Sequence, residues 1–197
     1  MQKLIIATKN KGKMKDFNQL FSKYGIEVLS LLDLEEDIPD IEETGDTFEE
    51  NAAIKAEVIA KKFHLPVLAD DSGLEVDALG GEPGVYSARY AGTHKDDNDN
   101  LHKVLEKMTG VKEEKRTARF VCVLALAQPE KATIYKRGEC EGHIGVEPVG
   151  ENGFGYDPIF IPNNYNKTMA ELTSEEKNQI SHRRNALIQL EEWIKEN

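Results

Sequence analysis

Several residue types are scarce in this chain of 197 residues, and each shortage excludes a class of protein. Its two cysteines, Cys122 and Cys140, form no CxxC pair, which excludes a recognisable zinc site or a disulfide framework. The longest apolar run, residues 120–127, is far shorter than the roughly 18–20 residues of a membrane helix. The first residues lack the apolar region, roughly 7–15 residues long, of a signal peptide. We therefore expect a cytoplasmic protein without a membrane partner.

Positive charge is also in short supply. Lysine and arginine together number 25 against 36 aspartates and glutamates, for a net charge of −11. Because nucleic acids and anionic lipids are themselves negative, this balance argues against a protein that binds either with its whole surface. Hydrophobic residues make up 39% of the chain, which suffices for a packed core, so we expect a folded protein that binds no nucleic acid.

The first thirty residues have the pattern of a βαβ unit. Residues 3–7 (KLIIA) are apolar and rich in branched side chains, as in a buried strand. Apolar side chains then recur at helical spacing from Met14 to Phe21, and Gly25 is a typical end for that helix. Residues 27–31 form the second strand, which gives the unit its expected length.

Capping signals locate the longer helices. Thr47 and Glu50 form a capping box that predicts a helix to about residue 63. Thr173 and Glu176 form another, which predicts a single terminal helix to about residue 195. The other predicted elements are a strand over 66–69 that ends in the polar residues 70–73, a helix over 98–108, and an antiparallel pair over 120–127 and 132–140. This order predicts one mixed α/β domain over residues 1–197.

Residues 8–13 (TKNKGK) are the first candidate for chemistry. They join a strand to a helix, and the N–H groups at such a turn favour a bound anion. Three lysines in an acidic chain strengthen this interpretation. The segment is not a Walker A loop, because Ala7 and Met14 stand where that motif needs glycine and serine or threonine. A solvated, lysine-rich turn is the alternative.

Paired carboxylates are the second candidate. Asp70 and Asp71 follow a predicted strand, and Glu42 and Glu43 precede the second helix. Oxygen ligands of this kind suit Mg²⁺, which takes one or two carboxylates and completes its shell with water and phosphate. Neighbouring strand residues point to opposite faces, so Asp70 and Asp71 share a ligand only if the chain turns near Gly73. An Asx turn without a ligand is the alternative.

Two segments near the C-terminus complete the set. In residues 150–158 (GENGFGYDP), glycines flank Phe154, whose ring could stack on a nucleobase. Lys177, His182 and Arg183 could bind phosphate or a base carbonyl. Alone, these patterns also fit a tight turn and a solvated helix face. Cations for phosphates, carboxylates for a divalent cation and an aromatic side chain in a loop of close approach together indicate a nucleoside triphosphate site.

Five segments taken together resemble one family. They are ATKNKGKMKDF, EETGDTFEENAAIKA, LADDSGLEVDALGGEPGVYSARYAG, GENGFGYDPIF and AELTSEEKNQISHRRNAL. They are similar to the inosine triphosphate pyrophosphatase family, the Ham1-like pyrophosphatases of non-canonical purine nucleotides, especially its bacterial branch. The resemblance implies a mixed α/β fold with an elongated central sheet flanked by helices and two lobes around a deep substrate cleft, usually in a homodimer. It also implies Mg²⁺-dependent hydrolysis of dITP, ITP and XTP to the monophosphate and pyrophosphate, which removes deaminated purines from the nucleotide pool.

The resemblance further implies roles for individual residues. Asp71 is similar to the family's catalytic proton acceptor and metal ligand, and Glu42, or as the weaker alternative Glu43, to the second metal ligand. The implied phosphate contacts are Thr8, Lys9, Asn10, Lys11, Gly12, Lys13 and Lys55. The other implied substrate contacts are Ser72 and a base-recognition set of Phe154, Gly155, Tyr156, Asp157, Lys177, His182 and Arg183.

Two other activities remain open at this stage. A regulatory module would bind the nucleotide without hydrolysing it, although such a module has no need of metal carboxylates. A general nucleoside triphosphate phosphatase would release inorganic phosphate instead of pyrophosphate. No residue in the sequence explains how guanine, which shares the C6 oxygen of hypoxanthine, would be excluded.

Overall fold

The structure is a computed structural model that describes residues 2–9, 11–34, 38–39 and 41–196, without the side chains of residues 11, 12 and 16. Its strands are β1 (Lys3–Ile6), β2 (Glu27–Ser30), β3 (Val67–Val76), β4 (Thr117–Ala127), β5 (Ile134–Ile144) and β6 (Phe160–Pro162). Its helices are α1 (Lys11–Phe21), α2 (Phe48–Phe63), α3 (Asp97–Lys107), α4 (Ser174–Ile180) and α5 (His182–Glu196).

These strands form a six-stranded mixed sheet in the order β2-β1-β3-β4-β5-β6. Strand β1 pairs in parallel with β2 and with β3, whereas β5 and β6 are antiparallel. Residues 128–133 connect β4 to β5, a link too short for the crossover that parallel neighbours require, so this pair is antiparallel. The predicted mixed α/β class, with helices flanking the sheet, is confirmed.

The opening βαβ unit is also confirmed. The side chains of Leu4, Ile5 and Ile6 are all buried, as expected for a parallel strand covered on both faces. After α1 and one turn of 3-10 helix, Gly25 adopts a left-handed conformation with φ of 65°. A glycine accepts this conformation without strain, which explains why the helical segment ends there.

Helix α2 begins at the predicted capping box. The Thr47 hydroxyl accepts the Glu50 N–H at 3.1 Å, and the Glu50 carboxylate accepts the Thr47 N–H at 3.2 Å. Both bonds satisfy N–H groups that the first turn of a helix leaves unpaired. The buried side of the helix consists mostly of small residues, among them Ala52, Ala56 and Ala60.

The predicted end of this strand at residue 69 is wrong, because β3 continues through residues 70–73 and runs from Val67 to Val76. Leu74 and Val76 beyond the polar run are fully buried, and their burial stabilises the extended chain. The four polar and glycine residues interrupted the apolar pattern on which the prediction relied. Without a turn, the side chains of Asp70 and Asp71 point to opposite faces of the strand.

The prediction of one terminal helix is also wrong. The capping box of Thr173 and Glu176 is present and begins α4, but Ser181 is extended, with φ of −64° and ψ of 144°, and separates α4 from α5. The Ser181 hydroxyl accepts the N–H of Arg184 at 3.3 Å. Serine is a preferred N-cap, so the residue that interrupts the first helix also begins the second.

The contacts divide the chain into two compact units. Unit 1 comprises residues 1–71, 123–136 and 190–197, and unit 2 comprises residues 72–122 and 137–189. The core of unit 2 is a cluster that includes Leu74, Tyr90, Phe120, Tyr156 and Phe160. The single domain expected from the sequence remains a prediction, as does the deep cleft. No helix in the described part of the chain has the length and apolar character needed to cross a bilayer.

Candidate active site

Unit 1 contains a lysine–carboxylate cluster composed of Lys13, Glu43, Lys55, Asp70 and Asp71. In the first turns of α1, Lys13 donates a hydrogen bond from Nζ to Oδ2 of Asp70 at 2.7 Å. The Asp70 side chain is 3% exposed and that of Lys13 27%. A carboxylate so deeply buried is stable only beside a cation, so Asp70 fixes the position of Lys13.

Lys55 of α2 is the centre of this cluster. Its Nζ lies 2.9 Å from Oε1 of Glu43, 2.7 Å from the backbone carbonyl oxygen of Asp70 and 3.8 Å from Oδ1 of Asp71. Burial lowers the pKa of Lys55, but the charges of Asp71, Glu43 and Asp70 outweigh burial and leave the pKa raised above its ordinary value. Lys55 therefore carries a full positive charge at neutral pH, beside the predicted catalytic carboxylate.

The two glutamates that precede α2 lie in different surroundings. Glu43 is half-buried and forms the ion pair with Lys55, whereas Glu42 is exposed. A carboxylate that holds an ammonium gives up part of that pairing when it binds a metal ion. This arrangement is compatible with Glu43 as the anchor of Lys55 and with Glu42, the sequence prediction, as a metal ligand.

The donor set fits Mg²⁺. The Glu43 and Asp71 carboxylates lie 2.9 and 3.8 Å from the Lys55 nitrogen and supply the hard oxygen donors that this ion prefers. Among the described residues, no group of three or more histidine, cysteine, aspartate or glutamate side chains could hold a metal by itself. Mg²⁺ needs no such group, because it commonly binds one or two carboxylates together with water and substrate phosphates.

The remaining residues of the predicted phosphate loop are described in part. Thr8 is buried, and its backbone carbonyl oxygen accepts the Leu31 N–H at 3.4 Å. Lys9 is exposed, and its Nζ donates to the Ile38 carbonyl oxygen at 3.4 Å. Asn10 lies outside the described residues, and only the backbone of Lys11 and Gly12, which begin α1, is described.

In unit 2, residues 150–158 form a turn that we call the glycine loop. Gly150, Gly153 and Gly155 all have positive φ, of 88°, 88° and 61°. A Cβ at Gly153 would collide with the side chains of Asp157 and Lys177. The glycine at this position therefore allows the loop to approach an ion pair of the protein itself.

That ion pair joins the glycine loop to α4. Nζ of Lys177 lies 2.9 Å from Oδ2 of Asp157 and 3.3 Å from the Asn152 carbonyl oxygen. Burial raises the pKa of Asp157 above its ordinary value, although Lys177 and the N–H of Phe154 lower it. Phe154 itself is 76% exposed, so its ring is available for stacking.

The other predicted contacts of unit 2 lie at the start of α5 and on β3. The His182 ring stacks on Phe120 with their centroids 5.2 Å apart and their planes inclined by 23°. Arg183 follows in the first turn of α5 and is half-buried, as is Ser72 on β3. The structure thus brings Phe154, Asp157 and Lys177 into one group and fixes His182 by its contact with Phe120.

The sequence model of the Ham1 family matches residues 4–193. The chain belongs to the Ham1 family. The resemblance found in the sequence is thereby confirmed over nearly the full length.

Relatives within the Ham1 family carry a specific name. A protein of Oceanobacillus iheyensis named dITP/XTP pyrophosphatase is 60% identical over 194 residues, which cover 98% of each chain. One of Halalkalibacterium halodurans with the same name is 57% identical, over 98% of this chain and 100% of the relative. The solved structure of the Staphylococcus aureus Ham1 protein superposes with a TM-score of 0.93 at 47% identity, over 98% of both chains.

Sequence reasoning missed two residues that hold this Ham1 chain's glycine loop. Oδ2 of Asp97, in the first turn of α3, accepts the N–H of Gly155 at 2.8 Å. The carbonyl oxygen of Ser87 accepts the Tyr156 hydroxyl at 2.6 Å. Each partner lies more than 50 residues away along the chain, so no local pattern could have indicated either contact.

Proposed function

We propose that this chain hydrolyses dITP, ITP and XTP to the nucleoside monophosphate and pyrophosphate. The observation that supports this most strongly is the convergence of Lys55, Asp71 and Glu43, at 2.9–3.8 Å, in a Ham1 chain that is 60% identical to a protein named dITP/XTP pyrophosphatase. Such an arrangement combines charge for a polyphosphate with a carboxylate for a water molecule.

In this proposal, Lys13 and Lys55 neutralise the triphosphate. Phosphoryl transfer depends mainly on positioning and on the stabilisation of charge spread over the reacting group. Both ammonium groups are already held by carboxylates, at 2.7 Å for Lys13 and 2.9 Å for Lys55, so little reorganisation is needed when phosphate oxygens approach.

Glu42 and Asp71 are the residues that would hold Mg²⁺, with Glu43 as the alternative to Glu42. When bound, the ion would neutralise phosphate oxygens and orient the triphosphate.

Asp71 acts on the attacking water in this proposal. It accepts a proton while the water oxygen forms a bond to the α-phosphorus and the bond to the bridging oxygen breaks, so pyrophosphate leaves. Nζ of Lys55, 3.8 Å from Oδ1 of Asp71, places a positive charge beside this carboxylate.

Base recognition is assigned to unit 2. Hypoxanthine and xanthine carry an acceptor oxygen at C6, where adenine carries an amino donor. Donors of His182 or Arg183 directed at that oxygen would be left unpaired by adenine, which permits rejection of about 10⁴-fold. Phe154, exposed on the glycine loop, would stack on the base.

A substrate panel tests the proposal. The protein is incubated with dITP, ITP, XTP, dGTP and dATP, with and without Mg²⁺, and the products are identified. We expect monophosphate and pyrophosphate from the first three, only with Mg²⁺, and none from Asp71→Asn, whose fold is checked by circular dichroism. Release of inorganic phosphate would indicate a general phosphatase, and binding without products a regulatory module; either result would overturn the proposal.

The homodimer and the cytoplasmic location belong to the same proposal. The homodimer is implied by the family resemblance, and the cytoplasmic location is expected from the sequence pattern. Light scattering on the purified protein measures the first, and fractionation of cells the second.

A further inference from the structure

Ser87 connects separate segments of unit 2. It is 7% exposed and lies in a short 3-10 helix, Gly84–Arg89. Its hydroxyl accepts the Leu74 N–H at 2.9 Å and donates to the Gly84 carbonyl oxygen at 2.6 Å. An N–H only donates and a carbonyl only accepts, so the role of the hydroxyl in each bond is fixed. The side chain thus joins this 3-10 helix to β3 at Leu74, two residues beyond Ser72.

The backbone of Ser87 holds a third segment. Its carbonyl oxygen accepts the Tyr156 hydroxyl at 2.6 Å, and Tyr156 is 5% exposed within the core cluster of unit 2. A hydroxyl that is buried and already bonded to the protein is not available to a substrate. Tyr156, predicted as a substrate contact, therefore anchors the glycine loop through its side chain.

This anchor matters for the exposed residue two positions earlier. Phe154 is 76% exposed, so packing does little to fix its ring. Its position depends instead on the bonds that hold the loop. Three of these bonds lie close to Phe154 along the chain, namely Tyr156 to Ser87, Gly155 to Asp97 and Asp157 to Lys177. A loop that is ordered before a ligand arrives loses less conformational entropy on binding.

We propose that Ser87 is a positioning residue that acts through Tyr156 to hold the glycine loop, and with it Phe154, ready to stack on the purine. The inference rests on the proposed function, since it assumes that Phe154 meets a base. Because the bonds act on binding and not on phosphoryl transfer, their loss raises KM and leaves kcat almost unchanged.

Matched variants separate this role from simple stabilisation. Ser87→Ala and Tyr156→Phe each remove one hydroxyl. Ser30→Ala is the control for the first, because Ser30 is also 7% exposed, accepts the Leu32 N–H and donates to Asp33. Tyr24→Phe is the control for the second, because its hydroxyl bonds Glu191 at 2.8 Å in unit 1.

We expect KM for dITP to rise about three- to tenfold in Ser87→Ala and Tyr156→Phe, the factor for one lost hydrogen bond, with kcat within about twofold. The controls should lower Tm to a similar extent without changing KM. Ser87→Thr, which keeps the hydroxyl, should restore KM, and the double variant should show less than the product of the two effects.

An unchanged KM in both variants, with Tm lowered as in the controls, would refute the inference. If Ser87→Ala does not fold, the KM of Tyr156→Phe alone tests the inference. Absence of dITP hydrolysis by the wild-type protein would instead refute the proposed function. Amide hydrogen exchange would then still test the anchor, because exchange at Phe154 and Gly155 should become faster in Ser87→Ala than in Ser30→Ala, and equal rates would exclude it.

Discussion

At the scale of single residues, Lys55 is the central cation of the lysine–carboxylate cluster. Its side chain is 17% exposed, and its ammonium contacts Glu43, Asp71 and a backbone carbonyl. Lys55→Met keeps most of the apolar stem but leaves two carboxylates without this cation. We expect the free energy of unfolding at pH 7 to fall by about 2–4 kcal/mol, whereas Lys61→Met, an exposed change on the same helix, should have little effect.

The difference in the free energy of unfolding between wild type and Lys55→Met should depend on pH, because the pKa of Lys55 is raised in the folded protein. A lysine whose pKa is higher in the folded state stabilises fully below the ordinary value of about 10.4, and this contribution is lost as the pH rises through the folded value. Urea unfolding from pH 7 to 12 should therefore show a constant gap between wild type and Lys55→Met up to about pH 10, and a narrowing gap above it. A difference that persists unchanged to pH 12 would mean that the charge of Lys55 is not the source of the stabilisation.

The neighbouring residues Glu42 and Glu43 lead to a further prediction at the scale of single residues. If Glu42 is the metal ligand and Glu43 the anchor of Lys55, Glu42→Gln raises the Mg²⁺ concentration required for half-maximal activity. Glu43→Gln instead raises KM for dITP, because Lys55 is less well held. Titration of activity with Mg²⁺ at saturating dITP distinguishes the two, and the opposite pattern would assign the metal to Glu43.

At the scale of secondary structure, Arg116 joins three elements of unit 2. It is 6% exposed and precedes β4, and its guanidinium donates to four backbone carbonyls. They belong to Met108 and Val111 after α3, and to Ile144 and Gly145 at the end of β5, at 3.0, 3.4, 2.7 and 2.6 Å. Burial lowers the pKa of Arg116, yet the carbonyl dipoles solvate the charge.

Replacing Arg116 should therefore destabilise unit 2 strongly. Arg116→Met leaves several buried carbonyls unpaired, at about 1–3 kcal/mol each, so we expect a loss of about 3 kcal/mol or more. Arg116→Lys should recover only part of this, because one ammonium cannot reproduce the planar fork of donors. Urea unfolding measures both, with the exposed neighbour Lys115→Met as control; equal stability of Arg116→Met and Lys115→Met would contradict the prediction.

Elements defined by local chemistry could be predicted, and those that depend on distant partners could not. The box of Thr47 and Glu50 predicted the start of α2 because both partners lie within one turn. The continuation of β3 past Asp70 could not be predicted, since Lys13, which compensates that carboxylate, lies 57 residues earlier. The break at Ser181 was missed because the apolar spacing of the terminal segment continues across it.

At the scale of the whole molecule, the sequence could predict the family and the mixed sheet but not the partners within the site. Full-length matching motifs predicted the Ham1 family, which its family model confirms over residues 4–193. The anchors Asp97 and Ser87 required coordinates, because a side chain that holds another residue has no motif of its own. Roles carried over by resemblance therefore name expected contacts to substrate and leave out the residues that position those contacts.

The net charge of −11 makes a prediction for the entire fold. Repulsion between distant exposed charges is screened once their separation exceeds the Debye length, about 10 Å at 0.1 M salt, whereas buried pairs such as Lys13 with Asp70 are screened much less. We therefore expect the free energy of unfolding in urea to rise by on the order of 1 kcal/mol between about 0.01 and 0.3 M NaCl.

A charge-reversal variant is the control for this prediction. Replacing two exposed acidic residues, Glu151→Lys with Glu192→Lys, changes the net charge from −11 to −7, because each reversal adds two positive charges. The rise in the free energy of unfolding with salt should therefore be smaller in this variant. A stability that falls with salt would mean that surface ion pairs outweigh the repulsion.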